Sequence, residues 1–331
     1  MLLATAAFLL LVRAPGARAL LPIVDTIYLL LPVLAACFVA GWAAGGSASL
    51  AGAWLLLTAA ILIPGQSSGS AAYHDMARGW GLLVGAAFGV VCMSAPGIPF
   101  MRRALAAAGL ALAGAVAFAG SAVLSLPALS RAFAAEFAAR NAATDALFAR
   151  WLPVIGARIP AAAGWTAAKS AALERASAAF AAPLVPALLV MEAVAACAIA
   201  WALYHRLSRT RLGPPLASLR GFTFGQAPAW ALVAGGALLL SPLAHAEGAA
   251  LLAANVVVLA AALFILRGAA VAAWFLPLRR AAAQIAAWAV GLALAPVTAP
   301  AAMGLGLTDS WLDWRGIARA RRPAAPAPSH D

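Results

Sequence analysis

Long apolar runs separated by short polar or proline-containing segments dominate the sequence. The runs are continuous rather than alternating, a pattern typical of helices in lipid and not of strands with one wet face. About 20 apolar residues in a helix cross a hydrocarbon core of about 30 Å. We predict about eight crossings, at residues 19–41, 50–64, 80–96, 104–126, 183–203, 229–243, 249–276 and 281–303.

The segment at residues 127–182 breaks this pattern, because charged residues are spaced among its alanines and aromatics. Phe133 and Phe137 recur at helical spacing, and Pro153 and Pro160 interrupt any single long helix. We predict amphipathic helices that lie on the extracytoplasmic membrane surface.

The pattern divides the chain into N-terminal transmembrane helices at 1–126, the amphipathic segment at 127–182, C-terminal transmembrane helices at 183–308 and a polar tail at 309–331. Residues 1–12 are apolar but too short to cross, and no positive charge precedes them. They fit a shortened helix better than a cleaved signal peptide. The proline-rich end of the tail predicts disorder after about residue 322.

Composition makes lipid the principal surroundings of the chain. Hydrophobic residues make up 65% of the sequence and charged residues 10%, and the mean hydropathy is +0.97. Soluble domains average about 45–50% apolar and about 25% charged residues. The predicted fold is an all-α polytopic transmembrane bundle, with interfacial amphipathic helices and the bilayer as its partner.

The formal charge of +12 indicates anionic lipid head groups rather than nucleic acid, because the basic residues form small clusters between apolar runs. We place the arginines at 102–103, 206–220 and 279–280 on the cytoplasmic side, which leaves 127–182 outside. The tail arginines then also fall outside, against the rule, so the side of the tail stays open.

Ionisable residues within the apolar runs are the candidates for chemistry. Asp25, Glu192 and Arg267 lie there, and a charge at the bilayer centre costs at least about 2.5–3.5 kcal/mol. Glu192, near the middle of its crossing, either lines a solute cavity inside the bundle or is a neutral carboxyl bonded to a neighbouring helix. Asp25 either contacts solute or bonds backbone carbonyls freed by nearby prolines.

Two further residues complete the predicted solute-binding set of Glu192, Asp25, Asn255 and Arg267. For Arg267, snorkelling of the side chain to the cytoplasmic interface is the favoured alternative to solute binding. For Asn255, the alternative is a hydrogen bond between helices.

No sequence motif indicates an enzyme, so we predict no catalytic residue, metal or cofactor. The chain contains no P-loop, G-x-G-x-x-G or H-E-x-x-H motif. Cys37, Cys92 and Cys197 lie singly in apolar runs, without the spacing of metal ligands. Gly85 and Gly89, four residues apart, indicate a close contact between helices.

The C-terminal third resembles the YybS-like family of predicted bacterial multi-pass membrane proteins, whose domain has no known function. The resemblance is carried by the segments at 203–222, 255–276 and 305–315. The last reads Leu-Gly-x-x-Asp-x-x-x-Asp-aromatic-Arg and supplies the motif residues Asp309, Trp311, Asp313 and Arg315. The family is distantly similar to substrate-binding subunits of energy-coupling-factor transporters, which implies small-solute binding in the bacterial cytoplasmic (inner) membrane.

The residues at 305–315 also predict a short helix or turn on the membrane surface, with Asp309 as its N-cap. For the whole chain we expect a solute-binding or transport-associated protein without its own nucleotide-binding domain. The alternative is a structural or interaction protein of the cell envelope that holds membrane partner proteins.

Overall fold

A computed structural model describes residues 23–62, 71–121, 179–245, 247–276 and 280–320, together with positions 135, 138, 172 and 176. These residues form helices and loops without any strand, as the continuous apolar runs predict. Residues 1–12, most of the segment at 127–182 and the tail beyond 320 lie outside the described residues. The shortened first helix, the amphipathic helices and the disordered tail therefore stay predictions.

Ten α-helices fall within the described residues. They are α1 (Ile23–Ala43), α2 (Ala48–Leu62), α3 (Ala71–Ser94), α4 (Phe100–Ser121), α5 (Val185–Leu207), α6 (Ala227–Leu240), α7 (Glu247–Phe275), α8 (Ala281–Ala293), α9 (Ala295–Leu312) and α10 (Trp314–Ala320).

Among the described residues, four helical stretches are long and apolar enough to cross a membrane. They are Asp75–Ser94, Phe100–Phe118, Ala179–Leu207 and Gly248–Phe275. Shorter apolar helices occupy Tyr28–Ala43, Ala48–Leu62 and Ala227–Leu240. The chain is thus an all-helical membrane protein, and the predicted total of about eight crossings goes beyond the four long spans and stays a prediction.

The chain forms two compact units, Met1–Leu216 and Ala217–Asp331. In the first unit, α1 packs against α2, α3 and α5, and α4 packs against α3 and α5. The centre is apolar, with Val33, Cys37, Phe88 and Cys197 inaccessible to solvent. The cysteines of this unit are free and buried, as their position in apolar runs predicts.

A stripe of glycines on α3 lets this helix approach α1 closely. Gly81, Gly85 and Gly89 face, in order, Tyr28, Pro32 and Ala36 of α1. Both series advance by four residues in the same direction, so the two helices run parallel. A Cβ at Gly85 would lie 2.8 Å from the Pro32 Cβ, which confirms the close contact predicted from Gly85 and Gly89.

Arg103, predicted to be an interfacial charge, is instead fully buried at the end of α3. Its Cζ lies 4.4 Å from the centroid of the Trp201 ring. Its Nη2 donates hydrogen bonds to the carbonyls of Ala95, Pro96 and Ile98. The guanidinium therefore binds carbonyls of the loop that follows α3, whereas its neighbour Arg102 is exposed as predicted.

In the second unit, α7 packs against both α6 and α9. The predicted last crossing at 281–303 is wrong as a single helix, because α8 ends and α9 begins around Leu294 (φ −98°, ψ 22°). Pro296 lies in the first turn of α9, where the missing N–H of a proline is tolerated, but it cannot continue the hydrogen-bond ladder of α8. The Thr298 hydroxyl donates to the Gly291 carbonyl (2.7 Å) across the break.

Candidate functional site

Two glycines bring α7 and α9 of the second unit into backbone contact. Gly268 of α7 lies against Ala302, and Gly306 of α9 lies against Phe264. A Cβ at either glycine would collide with the facing backbone carbonyl oxygen. The residue numbers rise on one helix as they fall on the other, so the two helices are antiparallel. In this register the side chain of Arg267 reaches Asp309 in the last turns of α9.

At this contact a buried carboxylate is shared by two arginines. The Asp309 Oδ2 accepts from Arg267 Nε at 2.8 Å and from Arg315 Nη2 at 2.8 Å. Arg267 Nη2 also donates to the Asp309 backbone carbonyl (2.9 Å). Only 1% of Asp309, 7% of Arg267 and 4% of Arg315 is exposed. We call these three residues the Arg–Asp–Arg triad; its formal charge is +1.

The triad also fixes the loop that precedes α6. Arg267 Nη1 donates to the Phe224 carbonyl (3.1 Å). Arg315 Nη1 donates to the carbonyls of Arg220 (3.0 Å) and Phe222 (3.1 Å). Charge-assisted bonds of this kind are about twice as strong as neutral ones, so the triad holds the loop at 217–226 against the helices.

A cavity of about 490 Å³ opens between this loop, the end of α7 and α10. Its lining consists of Ser218, Arg220, Gly221, Thr223, Trp274, Arg315 and Arg319. Three of these residues are arginines and none is acidic. The volume falls within the range of about 300–1,000 Å³ that is typical of small-molecule sites.

Several hydrogen-bond donors at this cavity make no hydrogen bond within the described part of the chain. Arg319 uses its Nε to donate to the Arg315 carbonyl (3.2 Å), and its Nη atoms make no hydrogen bond there. The hydroxyls of Ser218 and Thr223 likewise have no hydrogen-bond partner among the described residues. The side chains of Arg319, Ser218 and Thr223 are exposed, so these donors are accessible to a ligand from outside.

The cavity is electropositive because its surrounding cations outnumber the carboxylate nearby. Among the described residues of the cavity and the triad, Arg220, Arg267, Arg315 and Arg319 carry four positive charges and Asp309 carries one negative charge, a formal sum of +3. Asp313, two residues before Arg315 in the sequence, is acidic but is not among the residues that line the cavity. Its exposed carboxylate accepts the Gly316 N–H (3.1 Å) at the start of α10.

The structure brings together three of the residues singled out in the sequence, namely Arg267, Asp309 and Arg315. The side chains of two other motif residues do not join the triad, although the Asp313 N–H donates to the Asp309 carbonyl (3.2 Å). Trp311 is exposed on α9, and Asp313 occupies a left-handed turn (φ 40°) between α9 and α10.

The remaining candidates for solute binding lie elsewhere. Asp25 and Glu192 belong to α1 and α5 of the first unit, and Glu192 is half-buried. Asn255 is in α7, twelve residues or about 18 Å of helix before Arg267. Its Nδ2 donates to the Leu251 carbonyl one turn earlier (2.8 Å).

Two sequence-based interpretations are wrong here. Asp309 is not an N-cap, because α9 continues through it to Leu312 and two arginines bind its carboxylate. Asp313 caps the start of α10 instead. Arg267 does not snorkel to the interface, because α9 supplies a buried counterion beside it.

Of the residues that line the cavity, only Arg315 is among the candidates predicted from the sequence. Arg220 belonged to a basic loop with no assigned role, and Trp274 and Arg319 were not candidates. One signal was present, since Arg315 and Arg319 are four residues apart and therefore share a helix face. The hydroxyls of Ser218 and Thr223 carry no such signal.

Residues 160–310 match the model of a family described as "Predicted membrane protein (DUF2232)". The matched region includes Arg220, Arg267 and Asp309. The description of this family as a membrane protein agrees with the long apolar helices of α5 and of the second unit. No curated protein and no solved structure matches the chain.

Proposed function

We propose that this protein binds a small anionic solute in the cavity of its second unit, as a transport-associated component of the bacterial cytoplasmic membrane. The observation that carries the proposal is the lining, whose described residues include three arginines and two hydroxyl side chains but no carboxylate. A cavity lined in this way attracts anions and repels cations.

The triad supports the proposal because it holds the lining residues in place. Arg315 reaches the cavity while Asp309 and two loop carbonyls fix its guanidinium. A ligand that meets such a fixed group loses less conformational entropy in the protein than one that must order a flexible arginine.

The transport part of the proposal rests on the membrane setting and on the family that the C-terminal third resembles, which is itself distantly similar to substrate-binding subunits of energy-coupling-factor transporters. The sequence contains no nucleotide-binding motif. In a transport role driven by nucleotide hydrolysis, a separate subunit would couple solute movement to the energy source.

Native mass spectrometry of the detergent-solubilised protein tests the proposal. We expect the wild type to retain a small anionic molecule, and Arg319→Gln to lose it. Arg209→Gln is the matched control, because Arg209 is also exposed but does not line the cavity. Equal retention by both variants would contradict the assignment of the site, and recovery of a partner protein without any small molecule would favour an envelope scaffold.

A further inference from the structure

We propose that the anion is a phosphate group carried on a larger molecule whose organic part lies against Trp274. This inference rests on the proposed function, since it names the chemistry of the ligand in the same cavity. It draws on the charge of the site, the geometry of its donors, the size of the cavity and its place on the transmembrane helices.

Charge favours a dianion over a singly charged ligand. Among the described residues, the four arginines around the cavity exceed the buried carboxylate of Asp309 by three formal charges. A monocarboxylate neutralises one of these charges, whereas a phosphate monoester carries about −1.5 to −2 at neutral pH. The doubly charged ligand therefore gains more from the same set of arginines.

Donor geometry favours phosphate over a dicarboxylate of equal charge. Arginine presents a planar fork of N–H groups that matches two oxygens of one phosphate. The arginines that line the cavity come from separate elements, with Arg220 on the loop and Arg315 and Arg319 on α10. Arg315 already donates through both Nη atoms to Asp309 and the loop carbonyls, so it contributes mainly its charge. The Nη atoms of Arg319 and the hydroxyls of Ser218 and Thr223 are the donors open to a ligand, and they suit a compact group with several acceptor oxygens better than two carboxylates held several bonds apart.

Size indicates that the phosphate is attached to something larger. A cavity of about 490 Å³ has room for a drug-sized molecule, so an inorganic ion alone would leave most of it to water. Trp274 is the one aromatic side chain among the described lining residues, and its indole ring gives an organic group an apolar surface in the same cavity.

The cavity lies at the end of a membrane span, because Trp274 is the second-to-last residue of the apolar stretch Gly248–Phe275. Phe275, the last residue of this stretch, is exposed. Tryptophan and arginine at a helix end are typical of the head-group region. A phosphate group at this depth has two sources, a lipid head group or a water-soluble phosphate ester.

Three probes of known composition test the inference on the full chain in phosphate-free maltoside micelles. They are glycerol phosphate, succinate as a dicarboxylate of similar charge, and a short-chain phosphatidic acid. Binding is followed by titration calorimetry for the wild type, Arg319→Gln and the control Arg209→Gln. We expect glycerol phosphate to bind about tenfold or more tightly than succinate, and Arg319→Gln alone to lose about tenfold in affinity.

The outcomes separate this inference from the proposed function. Tighter binding of phosphatidic acid than of glycerol phosphate identifies a lipid head group as the source, and equal affinity identifies a soluble ester. If succinate binds as tightly as glycerol phosphate and depends on Arg319, the anion site stands and the phosphate assignment is overturned. If no probe binds, or if binding is unchanged in Arg319→Gln, the anion-binding function and the phosphate assignment are both overturned.

Discussion

Asp309→Asn is the substitution whose effect the structure predicts most directly. It keeps the shape of the side chain but removes the negative charge between Arg267 and Arg315, each of which donates to Asp309 Oδ2 at 2.8 Å. Two buried guanidinium groups are then left facing each other without a counterion. Removing one partner of a buried ion pair typically costs about 3–5 kcal/mol, because the remaining charge stays desolvated. We expect a loss of folding free energy in that range.

Equilibrium unfolding in mixed maltoside and dodecyl sulfate micelles, followed by circular dichroism, measures this cost. Asp313→Asn is the matched control, since Asp313 is exposed and makes one capping bond, for which a loss of at most about 1 kcal/mol is expected. The double variant Asp309→Asn/Arg267→Gln should recover part of the stability, because it removes one of the two unpaired cations. An Asp309→Asn protein within about 0.5 kcal/mol of wild type would refute the electrostatic role of the triad.

Three further predictions concern helix packing and topology. Gly306→Ala should destabilise the second unit by about 1–3 kcal/mol, because the new Cβ would collide with the Phe264 carbonyl oxygen. Gly304→Ala is the control, since its Cβ would meet no described atom within 4 Å. It should be neutral or mildly stabilising in the same unfolding assay. Gly85→Ala should cost a similar 1–3 kcal/mol in the first unit, because the new Cβ would press against Pro32 of α1. An unchanged unfolding midpoint would contradict this close contact between α1 and α3. After replacement of the native cysteines, an impermeant thiol reagent applied to intact cells should label a cysteine at position 140 and not one at 206; equal labelling would refute the predicted orientation.

Much of the helical structure is predictable because a helix that crosses lipid needs a long continuous run of apolar residues. The predicted run at 249–276 and the helix Glu247–Phe275 differ by two residues at the start and one at the end. The break at Leu294 was missed because the apolar character continues across it. The backbone changes there through Pro296, whose effect depends on where the preceding helix ends.

The candidate site was predictable only in part. The cost of placing Arg267 in an apolar run indicates that it needs a partner, but 42 residues separate it from Asp309. Their pairing depends on the antiparallel register that Gly268 and Gly306 permit, and a single sequence does not specify which glycines of two helices meet. Arg220 was equally hidden, because the backbone of its loop is held by side chains from two other elements.

The second arginine of the triad, Arg315, goes beyond what the neutralisation of Asp309 requires. One arginine would neutralise Asp309, and a buried ion pair adds little net stability over a well-packed apolar pair. Arg315 instead leaves the buried triad with an excess positive charge, and it is also the one triad residue that lines the cavity. An uncompensated charge near the low-dielectric interior is unfavourable until an anion approaches it. Anion binding would therefore relieve an electrostatic cost already present in the unliganded protein, and this preference for the bound state links the triad to the function proposed for the cavity.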